Sequence, residues 1–290
     1  MKPAPFAYQA PKTLEDALTL LAEHGDDAKL LAGGQSLIPV MNFRLAQPEM
    51  LIDLNGTAGL DGLSVADDGS VHIGGMVRQA ALEKSDLIKQ HVPLLHETMP
   101  WIAHSQIRNR GTIGGSLAHA DPAGELPVLM VILQASFELQ KVGGSRLVTA
   151  DEFYIDLFET ALADDEILTK IIIPPMLERT GYAFEEVARR HGDYAMAGVA
   201  AMVTTDTAGI CTNARLVFLN VGPMPMQAKA AAGMLSGQTV TPELIEQAAE
   251  HAAANEIEPT GDIHASADYR RHLAKVLAKR ALTKALSKLS

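Results

Sequence analysis

Cysteine is nearly absent from this chain of 290 residues, with Cys211 the single thiol. One thiol cannot supply the four ligands of an ordinary iron–sulfur cluster, a cysteine-rich zinc site or an internal disulfide. Basic side chains are also scarce: 24 Lys and Arg face 35 Asp and Glu, for a net charge of −11. So acidic a chain lacks the clustered cations that grip a phosphate backbone, and nucleic acid is not an expected partner. No apolar run approaches the roughly 20 residues of a membrane span. The opening "MKPAPFAYQAPKTLEDA" has no apolar core of an export signal. The expected compartment is the cytoplasm.

Two phosphate motifs are missing as well. Without G-x-x-x-x-G-K-[ST], a P-loop nucleotide hydrolase is disfavoured. Without G-x-G-x-x-G between strand and helix, a Rossmann nicotinamide site has no support. No HExxH helix is present, and His119 with Asp121 in "SLAHADP" finds no third metal ligand. That pair reads as loop or cofactor contacts.

What is present is a soluble globular composition, 47% hydrophobic and 20% charged, of a length that predicts about two domains. Leu14, Ala17, Leu18 and Leu21 fall at helical spacing, with Thr13 as N-cap and Gly25 as stop. "AKLL" and "PEMLIDLN" read as strands, and "LSVADDGSVHIGG" as two short strands around a turn. Helices are expected over Arg78–Lys89, Pro93–Ala103 and Leu126–Gln134, and "SFELQKVGGSRLVTADEF" as strand, turn and strand. "EILTKIIIPP" is a strand stopped by Pro174 and Pro175, just before the expected main boundary. Beyond it, three strands precede three helices, with Thr241 as N-cap and Pro242 at the first helical position. Cys211 reads as a small buried residue at the start of a strand. The class is α+β in both parts.

Two stretches share one recipe: a short apolar approach, paired glycines, then a serine. They are Ala32-Gly33-Gly34-Gln35-Ser36 and Thr112-Ile113-Gly114-Gly115-Ser116. Paired glycines let consecutive N–H groups converge on an anion; they also make plain tight turns. Gly74-Gly75 and Gly143-Gly144 read as turns. "RNR" at 108–110 reads as a solvated loop or as a contact to a partner subunit.

"AGGQSLIPVM", "QIRNRGTIGGSLAHADPAGELP", "DEILTKIIIP" and "ARRHGDYAMAGVA" resemble, in order and spacing, the flavin-binding medium subunit of molybdenum hydroxylases. That family includes the carbon monoxide dehydrogenase medium subunit and the xanthine dehydrogenase FAD domain. The resemblance runs nearly end to end. It implies a vanillyl-alcohol-oxidase (PCMH)-type FAD-binding domain at 1–176, in subdomains of about 1–55 and 56–176. A C-terminal α+β domain with a three-stranded antiparallel sheet and helices would follow at 177–290.

The resemblance further implies that Ala32 to Ser36 and Gly111 to Ser116 cradle the FAD pyrophosphate. It puts Asp121 and Glu125 near the cofactor, Leu168 on the adenine side and Tyr194 near the isoalloxazine. Ile102 stands where the xanthine branch has an aromatic residue, which removes ring stacking there. Glu185 replaces a lysine that contacts FAD in that branch. The implied role is electron transfer: from 2Fe-2S clusters on a small subunit, through FAD, to NAD, a quinone or another carrier. Substrate is oxidised at molybdopterin on a large subunit, in a dimer of heterotrimers, and this chain supplies no catalytic acid or base. The alternative is a stand-alone FAD-dependent NAD(P)H reductase on the same fold.

Overall fold

The computed structural model describes residues 1–289. Thr13 caps the helix Leu14–His24 by accepting from the Asp16 amide at 3.1 Å, and the helix ends at Gly25. Its buried face of Ala17, Leu18 and Leu21 packs with Ala28, Ile52 and Leu54 against a three-stranded parallel sheet. The strand order there is Ala7–Gln9, Met50–Asp53, Ala28–Leu31. Strand Ala7–Gln9 is exposed at all three residues, so no hydrophobic pattern announces it.

A five-stranded antiparallel sheet follows, ordered Leu63–Val65, Val71–Gly74, Ile167–Ile173, Ser136–Lys141, Gly144–Thr149. Its inward residues Val71, Ile73, Phe137, Leu139 and Ile171 share a core with the helix Glu125–Ile132. That helix is apolar nearly all round and buried at every position, as a helix without a solvent face must be. The helix expected over 78–89 breaks in two, Gln79–Lys84 and Asp86–His91. Ser85 sits between them in extended conformation and caps the second through the Ile88 amide. The helix expected to reach Ala103 ends at Thr98, with a 3-10 turn over Met99–Trp101.

The C-terminal part is an antiparallel sheet of strands Thr180–Val187, Ala197–Thr205, Cys211–Leu219 and Met226–Gln227. The expected three-stranded sheet therefore gains a fourth strand. It has only two residues, too few for an alternation to be visible. Helices Lys229–Leu235, Pro242–Asn255 and Ala267–Ser287 cover one face through Ala, Leu and Ile side chains. The other face sends Phe184, Ala200, Val217 and Leu219 into the core of the five-stranded sheet domain. The strand Ala197–Thr205 is thus buried on both sides, and its run of small residues makes room for both layers. Arg215 locks the junction by donating to the Ile132 carbonyl at 3.0 Å. Cys211 is fully buried at the start of its strand.

Candidate cofactor site

The two glycine motifs touch. A Cβ on Gly33 would lie 2.6 Å from the Arg110 carbonyl oxygen and 2.7 Å from Gly111 Cα, and one on Gly115 would lie 3.2 Å from Ala32 Cβ. Gly34 adopts φ +71, a left-handed conformation that glycine reaches without strain. The motifs differ in what their amides do. Among the described residues, the N–H groups of Gly33, Gly34, Gln35 and Ser36 donate to nothing within the chain. These four consecutive free donors meet the electrostatic need of a bound anion.

The second motif is not an open loop but the first turns of the helix Ile113–His119, with Thr112 as its N-cap. Its amides are taken: Ile113 donates to Val77, Gly114 to Gly75, and Gly115 to the Thr112 hydroxyl at 3.1 Å. Gly114 is needed for close packing, because a Cβ there would meet the Gly75 oxygen at 2.6 Å. The Gly75 amide in turn bonds Thr169 O at 2.9 Å. This links Leu168, buried beside Gly75, to the second motif.

A brace with no motif of its own joins the two. Arg78 donates to the Arg110 carbonyl and to the Asn55 side-chain oxygen, and Asn55 donates to the Ala32 carbonyl at 2.9 Å. Asp53 receives the Tyr8 hydroxyl and the Asn55 amide. Desolvation, then the neighbouring Arg110 charge, pulls the Arg78 pKa down.

Ile102 is buried in the turn that leads to the second motif, followed by Ala103 at φ 45. Arg108 holds that turn from inside. It donates to the Ile102 and Ala103 carbonyls at 2.8 and 3.1 Å and forms a two-pronged pair with Glu83 at 2.8 and 2.9 Å. The solvated-loop expectation for "RNR" fails at Arg108, which is buried, while Asn109 and Arg110 are exposed. The turn also receives the segment that carries Tyr194. Trp101 stacks on His191 at 5.7 Å, and a Cβ on Gly192 would meet the His104 ring at 2.5 Å.

Asp121, Glu125 and Tyr194 gather at the seam between the two halves of the molecule. Asn220 clasps it: its amide donates to Pro122 O at 2.8 Å and its side chain to Ala195 O. Asp121 bonds the Ala123 amide at 2.9 Å. Glu125 is buried, and desolvation pushes its carboxyl up to about 7. Tyr194 is 70% exposed, and its hydroxyl is raised by partial burial and by the charges of Asp121 and Glu125. Glu186, unmarked in any motif, completes the group at about 8, raised by burial and then by Glu125. Glu185 faces away and pairs with Lys284 at 2.9 Å.

Residues 4–176 match the family model described as the FAD binding domain in molybdopterin dehydrogenase, and 182–285 match the CO dehydrogenase flavoprotein C-terminal domain. The chain belongs to this flavoprotein family. It is 42% identical over 286 residues to the 6-hydroxypseudooxynicotine dehydrogenase complex subunit alpha of Paenarthrobacter nicotinovorans, covering 99% of this chain and 96% of the relative. Among solved structures it superposes on a chain of carbon monoxide dehydrogenase from Hydrogenophaga pseudoflava with a TM-score of 0.96. Identity there is 39%, and each chain is covered completely. A chain of quinoline 2-oxidoreductase from Pseudomonas putida 86 gives a TM-score of 0.94 at 36% identity, covering 100% of this chain and 99% of that one. As a member of the family the chain is an oxidoreductase flavin subunit, with a PCMH-type FAD-binding domain followed by the C-terminal domain. Among the described residues no helix is long and apolar enough to cross a membrane.

Proposed function

We propose that this chain is the FAD-carrying electron-transfer subunit of a multi-subunit molybdenum hydroxylase. Its partners are a small iron–sulfur subunit and a large molybdenum subunit, assembled as a dimer of heterotrimers in the cytoplasm. The electrons leave to NAD, a quinone or another carrier. Bound FAD supplies the redox chemistry; the chain supplies position, burial and charge. The family division falls at 176/177, with the flavin domain itself split near residue 55.

The observation that carries this reading is the row of free donors from Gly33 to Ser36, held against Gly111 by the Arg78–Asn55 brace. Gly33, Gly34, Gln35 and Ser36 bind pyrophosphate oxygens through backbone amides, and the Ser36 and Ser116 hydroxyls add donors. Ala32, Gly111, Thr112, Ile113, Gly114 and Gly115 form the wall that sets the approach distance. Leu168 lines the adenine side. Ile102, Asp121, Glu125 and Tyr194 surround the flavin end. Relatives of 39–42% identity named as subunit alpha and medium chain support the subunit reading.

The test is flavin retention. The chain, alone and co-purified with candidate partner subunits, is incubated with FAD and desalted, and the retained flavin is identified after denaturation. FAD retained by the assembly supports the reading. An assembly that retains no flavin, or FMN in its place, overturns it.

A further inference from the structure

The loop 188–196 joins the strands Thr180–Val187 and Ala197–Thr205 and carries the Tyr194 segment. In a chain of net charge −11 this loop is locally cationic, with Arg189 and Arg190 against Asp193 as its single acid. Both arginines are exposed. Arg108, Arg146 and Arg270 each hold a carboxylate, whereas among the described residues Arg189 and Arg190 hold none. His191, Asp193 and Tyr194 are exposed beside them. The loop is thus a projection and not a pocket, a shape that suits a protein partner better than a small ligand, which needs a concave site.

The projection is held in shape before any partner arrives. Trp101 and His191 stack within 12° of parallel. The Asp193 amide donates to the Arg190 carbonyl at 3.1 Å, and the Met196 amide to the Val187 carbonyl at 2.7 Å. Gly192, at φ +88, lets the chain press on the turn below, where a Cβ would also meet the Ala103 carbonyl oxygen at 2.9 Å. Asn220 holds the Ala195 carbonyl at the far end. A loop fixed at its ends and its middle loses little freedom on docking. Arginine and exposed aromatic side chains are also the types that dominate protein interfaces.

The position of this loop decides what it meets. One cysteine cannot ligate an iron–sulfur cluster, so electrons reach the flavin from another chain; this step rests on the function proposed above, which also puts Tyr194 at the flavin end. A chain that delivers electrons there has to seat beside the loop. An acidic face on that chain is repelled by the net negative charge of this one and attracted at the two unpaired guanidinium groups, which fixes its direction of approach. We propose that Arg189 and Arg190 form the docking surface for the iron–sulfur subunit by recognising an acidic face on it, and that the Trp101–His191 stack holds them in position.

The test uses the full chain loaded with FAD and the small iron–sulfur subunit separated from the co-purified assembly. Their association rate is followed by stopped flow over a range of salt. For the wild-type chain the rate should fall as salt rises, because steering is screened. Arg189→Gln and Arg190→Gln together should slow association at low salt by about tenfold and flatten the salt dependence. Asp193→Asn, which removes the acid of the loop, should quicken it. The two arginines are exposed and unpaired, so the double variant should keep the wild-type unfolding midpoint and retain FAD. Association of the double variant at the wild-type rate overturns the docking surface and leaves the flavin-site assignment standing. Slowed binding to the large molybdenum subunit alone overturns it too, as does a raised KM for NAD with subunit binding unchanged, since each gives the arginines to another occupant. A wild-type chain that retains FAD but binds no iron–sulfur subunit overturns the proposed function, and the docking surface with it.

Discussion

Gly33 rests directly on Gly111: a Cβ at Gly33 would come within 2.7 Å of Gly111 Cα and within 2.6 Å of the carbonyl oxygen of Arg110. Both obstacles are backbone, so a methyl group there cannot be absorbed by a rotamer change. Gly33→Ala should push the two motifs apart, with an overpacking cost of about 1–3 kcal/mol. A lowered unfolding midpoint, together with loss of retained FAD, is the expected result. Gly143→Ala serves as the comparison. Its φ of +82 is strained for alanine but the surroundings are open, so stability should fall while FAD retention stays.

Arg78 provides a way to loosen the cradle without crowding it. Its guanidinium reaches the Arg110 carbonyl, just before the second motif, and, through Asn55, one carbonyl of the first. Arg78→Met should leave the fold intact, because the side chain is only half-buried, and should weaken FAD retention at least tenfold, the loss of about 1.4 kcal/mol. Arg78→Lys should restore little, since an ammonium cannot fork to two acceptors in the plane of a guanidinium. Equilibrium titration of the apo assembly with FAD reads both. Full retention by the Met variant would remove the brace from the account.

The glycine pairs are legible in the sequence, but what they touch is not. Gly74-Gly75 reads as another turn, yet Gly75 is the surface on which Gly114 packs. The second motif reads as a loop because glycine is a poor helix former. The Thr112 cap and packing against Gly75 and Ala32 override that propensity. Arg78 and Asn55 carry no motif, since their partners are carbonyls distant in sequence. Glu186 had a usable signal. In "YAFEEV" it shares a strand face with Phe184, and a carboxylate on an apolar face is a buried one. Likewise "ELPVLMVI" is apolar all round, which buries its leading Glu125.

Arg108 shows how a side chain behind the site governs the backbone in front of it. Its side chain is 9% exposed and that of its partner Glu83 25%. Arg108→Met would strand the Glu83 carboxylate and two carbonyls of the Ile102–Ala103 turn. A loss of about 2–3 kcal/mol is expected, at the low end for a broken buried pair because Glu83 reaches water. Glu83→Gln keeps hydrogen bonds to the guanidinium and should cost less. Chemical denaturation of the three proteins orders them wild type, Glu83→Gln, Arg108→Met. Hydrogen exchange at Ala103 and His104 should rise mainly in the Met variant.

Asp262 ties the far end of the seam to acid pH. The amides of Ala265 and His264, and then the Arg270 guanidinium, hold its carboxyl down at about 2, against an ordinary 3.8. Because the folded value is the lower one, its contribution is complete above the ordinary carboxylate range and is lost as pH falls toward about 2. Asp262→Asn removes that term. The variant should unfold at a lower temperature than wild type at neutral pH, and the two midpoints should converge as the medium is acidified. The buried Arg270 would keep its bonds to Met196 and Asn220 but lose its carboxylate, with its Nε already unpartnered. The Asn220 clasp should therefore loosen in the variant at neutral pH. A constant gap between the two midpoints from neutral to strongly acid pH would show that Asp262 does not titrate with folding.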